Sequence, residues 1–183
     1  VLDSQVGRLL NYLNESGLVE DTLIVFTSDH GDMTGAHGGL IDKGLPYEEA
    51  MRVPMVFAHS SLPAACRNNL ALNMDILPTA LGLMGITYAP RQARDLSREV
   101  LATDAEKRRF LLAEYHGLRF LYSQRILISD DNWKYVFSPG DYDELYDLNV
   151  DPGEMENLVN AAQFQDKLCA LRTAMMQETA TFD

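Results

Sequence analysis

A carboxylate and an imidazole stand side by side at Asp29 and His30, just after the apolar run at residues 22–27. A carboxylate oxygen and an imidazole nitrogen are both ligands that divalent cations accept in proteins. Glycines follow at positions 31, 35, 38 and 39, and glycine permits positive φ and a close approach of the backbone to a ligand. The pair therefore indicates either a metal site or a hydrogen-bonded turn, and its spacing alone does not choose between them.

The elements around this segment have an α/β pattern. The run at residues 22–27 is continuous, apolar and rich in β-branched residues, which is typical of a strand buried on both faces. A helix is predicted before it, from about residue 3 to 15, ending at Ser16-Gly17. Its apolar residues with helical spacing are Val6, Leu9, Leu10 and Leu13. This order favours a layered α/β sheet with ligand chemistry at the carboxyl ends of the strands.

Further elements follow along the chain. A second buried strand is predicted at residues 53–58, and a helix from about Asp75, as its candidate N-cap, to near Gly85. Residues 89–107 are charged and aperiodic, so we expect a loop there. Short strands with hairpin spacing, which predict an antiparallel sheet, lie at residues 110–115, 125–129, 133–137 and 144–148. A terminal amphipathic helix, carrying the four apolar residues Phe164, Leu168, Leu171 and Met175, should cover one face of that sheet.

Composition excludes several classes of protein. The chain has 183 residues with 27 acidic and 15 basic side chains, a net charge of −12 and 46% hydrophobic residues, which indicates a globular protein. The absence of a cluster of Lys or Arg argues against nucleic-acid binding. No apolar run approaches the ~20 residues that a membrane span requires. Cys66 and Cys169 lack metal or redox spacing and leave the redox compartment open.

A series of short motifs runs along the chain in a defined order. They are Thr27-Ser28-Asp29-His30-Gly31, Gly35-Ala36-His37-Gly38, Asp42-Lys43-Gly44, Tyr47-Glu48-Glu49, Arg52-Val53-Pro54, Asp75-Ile76-Leu77-Pro78-Thr79, Trp133-Lys134-Tyr135, Glu144-Leu145-Tyr146-Asp147-Leu148 and Asp151-Pro152-Gly153-Glu154 with Asn157-Leu158. In this order they resemble the sulfatase family, a member of the alkaline phosphatase-like superfamily of metal-dependent hydrolases. The resemblance implies the C-terminal part of an α/β/α sandwich at residues 1–105, followed by an antiparallel-sheet subdomain with a terminal helix at residues 106–183.

The resemblance also implies roles for individual residues. Asp29 and His30 would be two ligands of the active-site metal. Lys43 would reach the sulfate or phosphate oxygens as a point charge and offset negative charge on the leaving oxygen. His37 would contact the substrate or leaving group, or support the glycine-rich loop, and both interpretations stay open. The metal would be Ca²⁺ if the remaining ligands are carboxylates, and Mn²⁺ or Zn²⁺ otherwise.

Other polar residues of the same segments are expected to be structural. Asp32 is expected to stabilise the loop, and Glu48 and Glu49 to make structural contacts. We expect structural roles for His59 and His116 as well.

Two features of the resembled family are absent from these 183 residues. One is the motif Cys-x-Pro-x-Arg, or its Ser variant, whose Cys or Ser becomes the formylglycine nucleophile, and the other is an early Asp-Asp pair. We therefore expect a metal-dependent sulfuric ester hydrolase of which this chain is the C-terminal portion, with no esterase turnover from the chain alone. The expected substrate is a small-molecule or saccharide sulfate ester.

Two alternatives remain beside the sulfatase interpretation. One is a phosphonate monoester hydrolase or phosphodiesterase of the same superfamily, because residues 27–43 do not separate sulfur from phosphorus substrates. The other is a non-catalytic binding module, which the missing nucleophile favours. The sequence leaves the compartment and the oligomeric state open.

Overall fold

The computed structural model describes residues 1–89, 91–101, 106–117 and 123–181. In chain order the helices are α1 (Leu2–Glu15), α2 (Ala36–Gly39), α3 (Glu48–Met51), α4 (Ile76–Leu83), α5 (Ser97–Val100) and α6 (Gln165–Ala180). The strands are β1 (Ile24–Thr27), β2 (Met55–Ala58), β3 (Phe110–Tyr115), β4 (Gln124–Ser129), β5 (Trp133–Phe137) and β6 (Glu144–Asp147). The fold is mixed α/β, as the sequence predicts. Both sheets are antiparallel, whereas the sequence predicts an antiparallel sheet only for the later strands.

Contacts divide the chain into two compact units that alternate along the sequence. The first comprises Val1–Ser28, Pro54–Arg67 and Asn73–Ala105, and the second comprises Asp29–Val53, Asn68–Leu72 and Glu106–Asp183. The candidate site residues at 29–43 therefore belong to the same unit as the four-stranded sheet. The division at residue 105 into two domains stays a prediction.

In the first unit, α1 matches its predicted bounds. It spans Leu2–Glu15, and Gly17 follows with a φ of 69°, which is the left-handed conformation that ends many helices. β1 pairs with β2 in an antiparallel register that sets Ile24 opposite Ala58. The prediction that these strands are buried on both faces is wrong for this chain, because Phe26 is 41% and Val56 48% exposed. An apolar run identifies a strand, but burial also requires elements that cover both of its faces.

Two further differences concern the second half of this unit. α4 starts directly after Asp75, but the carboxylate of Asp75 makes no cap hydrogen bond and instead accepts one from the backbone N–H of Arg94 at 2.7 Å. The predicted cap role is therefore wrong, since a buried carboxylate binds the nearest unsatisfied donor, whichever part of the chain supplies it. α5 lies inside the predicted loop, where four residues are too few to show helical periodicity.

In the second unit, the sheet has the order β3-β4-β5-β6 with every neighbouring pair antiparallel. The predicted strands and terminal helix are confirmed, and α6 packs on one sheet face as expected. That core cluster is formed by Leu127, Trp133, Tyr135, Leu145, Leu168, Leu171, Ala174 and Met175. Side chains alternate along a strand, so the opposite face carries Ile126, Ile128 and Val136, with Met51 of α3 packed against them.

None of the helices in the described part of the chain is both long enough and apolar enough to cross a membrane.

Candidate active site

The structure brings Asp29, His30 and Lys43 together. The backbone carbonyl of Gly31 lies 2.7 Å from Nδ1 of His30, so Nδ1 carries the proton and donates it to that oxygen. Nε2 then keeps its lone pair and accepts a hydrogen bond from Nζ of Lys43 at 2.7 Å. Oδ2 of Asp29 lies 3.4 Å from the same Nε2 atom. A carboxylate, an imidazole lone pair and an ammonium thus meet at one accessible point.

Backbone hydrogen bonds fold residues 29–43, called the site loop below, back on itself. The N–H of Met33 donates to the carbonyl of Asp42 at 2.9 Å, which returns the chain next to its own start. Asp42 has a φ of 71°, and its carboxylate accepts the N–H of Lys43 at 2.9 Å. The carboxylate of Asp32 accepts the N–H of Thr34 at 2.7 Å, which confirms its role in stabilising the loop. The closure of the site loop explains how Lys43 reaches His30, which lies 13 positions earlier in the chain.

The site loop also rests on α3. The N–H of Gly31 donates to the carbonyl of Ala50 at 2.8 Å. A Cβ atom on residue 31 would lie 2.0 Å from the carbonyl oxygen of Glu49, so only glycine permits this approach. Gly31, the residue next to His30, is therefore held against the backbone of α3.

His37 lies against the side chains of Glu49 in α3 and of Tyr47, which precedes α3. Its ring stacks on Tyr47 with a centroid distance of 3.9 Å and an interplanar angle of 13°. Its Nε2 atom lies 3.6 Å from Oε2 of Glu49, and the His37 side chain is 11% exposed. These contacts support the glycine-rich loop, in line with one of its two predicted roles. A contact of His37 with substrate stays a prediction.

The donor set fits part of a metal-coordination shell. Asp29 offers a carboxylate, and His30 offers an imidazole nitrogen with its lone pair. Carboxylates are the main ligands of Ca²⁺, and imidazole is a common ligand of Zn²⁺ and other transition metals. Across residues 1–89, 91–101, 106–117 and 123–181, no group of three or more His, Cys, Asp or Glu side chains could hold a metal ion. Asp29 and His30 would therefore supply two ligands at most, and a metal ion held here would need others.

Sequence reasoning missed two contacts of the second unit. Tyr47 stacks on His37, and Lys134 and Glu154 form a buried ion pair with a distance of 2.6 Å between Nζ and Oε1. Burial raises the pKa of Glu154, although Lys134 and the N–H of Glu48 favour the charged carboxylate. One signal was available, because Lys134 is the only charged residue of β5, whose other four residues are aromatic or apolar.

The remaining histidines make contacts of a structural kind. Nε2 of His59 lies 2.8 Å from the carbonyl of Glu20, and Nδ1 lies 2.7 Å from the hydroxyl of Ser61. Nε2 of His116 lies 3.5 Å from the carboxylate of Glu114.

Comparisons with known proteins assign a family to much of the chain. The family model described as Sulfatase matches residues 2–86, which include the whole site loop. The choline-sulfatase of Rhizobium meliloti (strain 1021) is 35% identical over 159 residues, which is 86% of this chain and 31% of that protein. The chain thus spans about a third of the length of the curated relatives that it matches.

Solved structures give the same fold. A structure whose protein is in complex with its substrate D-glucosamine-2-N,6-O-disulfate is 28% identical, with a TM-score of 0.83, and the match covers 98% of this chain and 38% of that one. The phosphonate monoester hydrolase of Agrobacterium radiobacter is 26% identical with a TM-score of 0.78, and the match covers 94% of this chain and 39% of that one. Both matches therefore cover nearly the whole of this chain.

Proposed function

Because this chain belongs to the sulfatase family, we propose that its site loop forms part of the active site of a sulfuric ester hydrolase. The observation that carries the proposal is the meeting of Asp29, His30 and Lys43 at one accessible point inside the family match. The Asp29 carboxylate and the neutral His30 ring are suited to bind a metal ion. The Lys43 ammonium is suited to bind an anionic ester beside it.

Asp29 and His30 would hold a divalent metal. The hydrogen bond from Nδ1 to the carbonyl of Gly31 fixes the tautomer that leaves Nε2 available as a ligand. When bound, the metal would supply Lewis-acid polarisation of the ester's oxygens. We propose Ca²⁺ if the remaining ligands are carboxylates, and Mn²⁺ or Zn²⁺ otherwise.

Lys43 would bind the ester's non-bridging or leaving oxygen. Its ammonium is exposed and is aimed at the ligand nitrogen, so a short movement of a flexible side chain suffices to reach an anion beside the metal. There it would offset the negative charge that develops on the departing alcohol. The nucleophile would be a formylglycine from a motif that these 183 residues do not contain.

The proposed substrate is a sulfate ester of a small molecule or a saccharide. Support comes from a similar structure that holds a glucosamine disulfate as its substrate. A second candidate is phosphonate monoester hydrolysis, which the similarity to the Agrobacterium radiobacter enzyme favours. Both reactions need a metal and a cation around a tetrahedral anion, so the described residues are compatible with either.

The test uses the polypeptide encoded by the reading frame that contains residues 1–183. Its hydrolysis of an aryl sulfate and of an aryl phosphonate monoester is measured with added Ca²⁺ or Mn²⁺. Asp29→Asn and Lys43→Ala are each expected to lower kcat/KM by about 100-fold or more. Lys167→Ala is the matched control, since Lys167 forms an ion pair with Asp131 on the second unit's α6 side.

Two results would contradict the proposal. One is the absence of hydrolysis of either ester, which would favour the non-catalytic binding module. The other is full activity in both site variants. The 183-residue chain by itself is expected to show no turnover, and a metal-dependent rate from it would contradict that expectation.

A further inference from the structure

Three charged side chains meet at the first residue of α3. Nζ of Lys134 lies 2.6 Å from Oε1 of Glu154 and 3.3 Å from Oε1 of Glu48. The side chains of Lys134 and Glu154 are both 0% exposed, and that of Glu48 is 18% exposed. We call these three residues the ion triad. They come from three separate segments of the second unit.

The position of Lys134 on its strand explains which segment it reaches. Trp133 and Tyr135 of β5 face the α6 core, so Lys134 between them points to the opposite sheet face. That face also receives Met51, the last residue of α3. A lysine at this position costs desolvation free energy, and apolar residues of similar volume commonly stabilise a core as well or better. Its presence therefore calls for a role other than stability alone.

Glu154 connects the triad to the backbone of α3. Its second oxygen, Oε2, accepts the N–H of Glu48 at 2.7 Å. Glu48 is the first residue of α3, and the first N–H groups of a helix have no partner inside the helix. Glu154 itself has a φ of 51° and is fixed by a turn in which its N–H donates to the carbonyl of Asp151 at 3.1 Å. The carboxylate is thus presented to α3 by a constrained turn.

α3 in turn carries the site loop by two contacts. The carbonyl of Ala50 accepts the N–H of Gly31, the residue whose own carbonyl accepts the proton of Nδ1 of His30. Tyr47, which precedes α3, stacks on His37. A displacement of α3 would therefore move Gly31, and with it the carbonyl that accepts the Nδ1 proton and sets the His30 tautomer.

We propose that Glu154 and Lys134 are positioning residues for the site loop, acting through Glu48 and α3 on Gly31 and thereby on His30. The inference rests on the proposed function, since it assigns the ion triad to the same active site. It predicts that a change in the triad alters the site loop locally, in addition to any effect on global stability.

The test measures amide hydrogen exchange and the ¹⁵N shifts of the His30 ring in the folded chain. Glu154→Gln keeps the shape of the side chain and removes its charge. Asp143→Asn is the matched control, because Asp143 also pairs with a cation, Arg172, but on the α6 side of the sheet. In Glu154→Gln, exchange of the Gly31 amide is expected to accelerate about tenfold or more beyond the acceleration at Leu127, which reports the loss of global stability.

The ring nitrogens give a readout that a purely stabilising role would not change. In Glu154→Gln the two His30 ¹⁵N shifts are expected to move towards each other, since the second tautomer becomes populated when the Gly31 carbonyl shifts. In Asp143→Asn they are expected to stay at the wild-type values. If Glu154→Gln does not fold, Glu154→Asp is the second variant, because it keeps the charge and shortens the reach to Glu48.

The outcomes separate this inference from the proposed function. Unchanged exchange at Gly31, or an equal acceleration at Gly31 and Leu127, overturns the positioning role, whether or not the polypeptide hydrolyses sulfate esters. A local change at Gly31 and His30 supports the positioning. Absence of hydrolysis by the wild-type polypeptide overturns the proposed function, whatever the exchange experiment shows.

Discussion

The Nζ atom of Lys43 lies 2.7 Å from Nε2 of His30, the ring nitrogen that keeps its lone pair because Nδ1 donates to the carbonyl of Gly31. A metal ion bound by His30 would use that same lone pair. The ammonium and the metal therefore compete for one atom, and they also repel each other electrostatically. If His30 binds a metal as proposed, metal binding and release of Lys43 towards an anionic ligand are expected to be coupled.

Lys43→Met is expected to tighten the binding of a divalent cation while it abolishes the proposed catalytic function. In water, unit charges about 4 Å apart interact by about 1 kcal/mol. Removing the ammonium from beside a divalent ion should thus lower the dissociation constant by about threefold to thirtyfold. Mn²⁺-induced broadening of the amide NMR signal of Gly31, which both variants retain, measures the affinity. His30→Ala, expected to weaken it, is the control, and an unchanged affinity in Lys43→Met would contradict the competition.

Gly31→Ala is expected to destabilise the chain by about 1–3 kcal/mol, because the new Cβ would meet the carbonyl oxygen of Glu49 at 2.0 Å. Gly7→Ala is the opposite case. Gly7 lies inside α1, and a Cβ atom added there would meet nothing within 4 Å, so alanine should stabilise the helix by about 0.5–1 kcal/mol. Urea denaturation measures both changes. Equal effects of the two substitutions would argue against the close approach of the site loop to α3.

Lys134→Met is expected to cost about 3–5 kcal/mol, since it leaves the buried carboxylate of Glu154 without its cation. The double variant Lys134→Met/Glu154→Gln should lose much less than the sum of the two single variants, because no unpaired charge remains buried. Denaturant titration of the four proteins gives the coupling free energy. Additive losses would show that the two side chains do not interact.

Asp143 is expected to make stability depend on acid pH. Burial alone would raise the pKa of Asp143, but hydrogen bonds from Tyr135 and Arg172 outweigh it and lower the pKa. Because the pKa is lower in the folded state than in the unfolded one, its contribution is present above about pH 4. It is lost as the pH falls through the lowered pKa.

The variant Asp143→Asn should therefore lose about 1–2 kcal/mol at neutral pH and show a flatter decline of stability in acid. Asp141→Asn, an exposed carboxyl of the same turn, is the control and should behave as wild type. Thermal unfolding between pH 2 and pH 7 measures the difference. Parallel acid profiles for Asp143→Asn and the wild type would contradict the assigned hydrogen bonds.

Leu171→Ala tests the packing of α6 on the sheet. Leu171 is 2% exposed in the core cluster, so truncation should cost about 2–5 kcal/mol. Met176 on the same helix is 73% exposed, and Met176→Ala should change the free energy of unfolding by less than about 0.5 kcal/mol. Comparable losses in both variants, measured by urea denaturation, would place the core elsewhere.

The strands β3 to β6 and the helix α6 could be predicted from the sequence because their signals are local. The alternation in β3 to β6, the turn residues between them and the apolar spacing of α6 each lie within a few residues of one another. The same holds for α1, whose amphipathic spacing and terminal Gly17 fix its bounds. The adjacency of Asp29 and His30 is also local, which is why the candidate ligands were visible.

Contacts between distant segments could not be predicted in this way. The partner of the Asp75 carboxylate proved to be the N–H of Arg94, 19 positions away. The stack of Tyr47 on His37 and the ion triad depend on how the site loop, α3 and β5 pack together. No pattern within a single element specifies such a contact, because many polar groups could have met the same donor.

The sequence by itself therefore determined the six strands, the helices α1, α4 and α6, the family and the residue types available for chemistry at positions 29, 30 and 43. Only the tertiary structure decided which atoms of these side chains donate and which accept hydrogen bonds. The fold of the site loop sets Lys43 on Nε2 of His30, and the Gly31 carbonyl fixes the tautomer that makes this possible. The physical reason is that hydrogen bonds and ion pairs act over about 3 Å, so a chain specifies them only once it has folded.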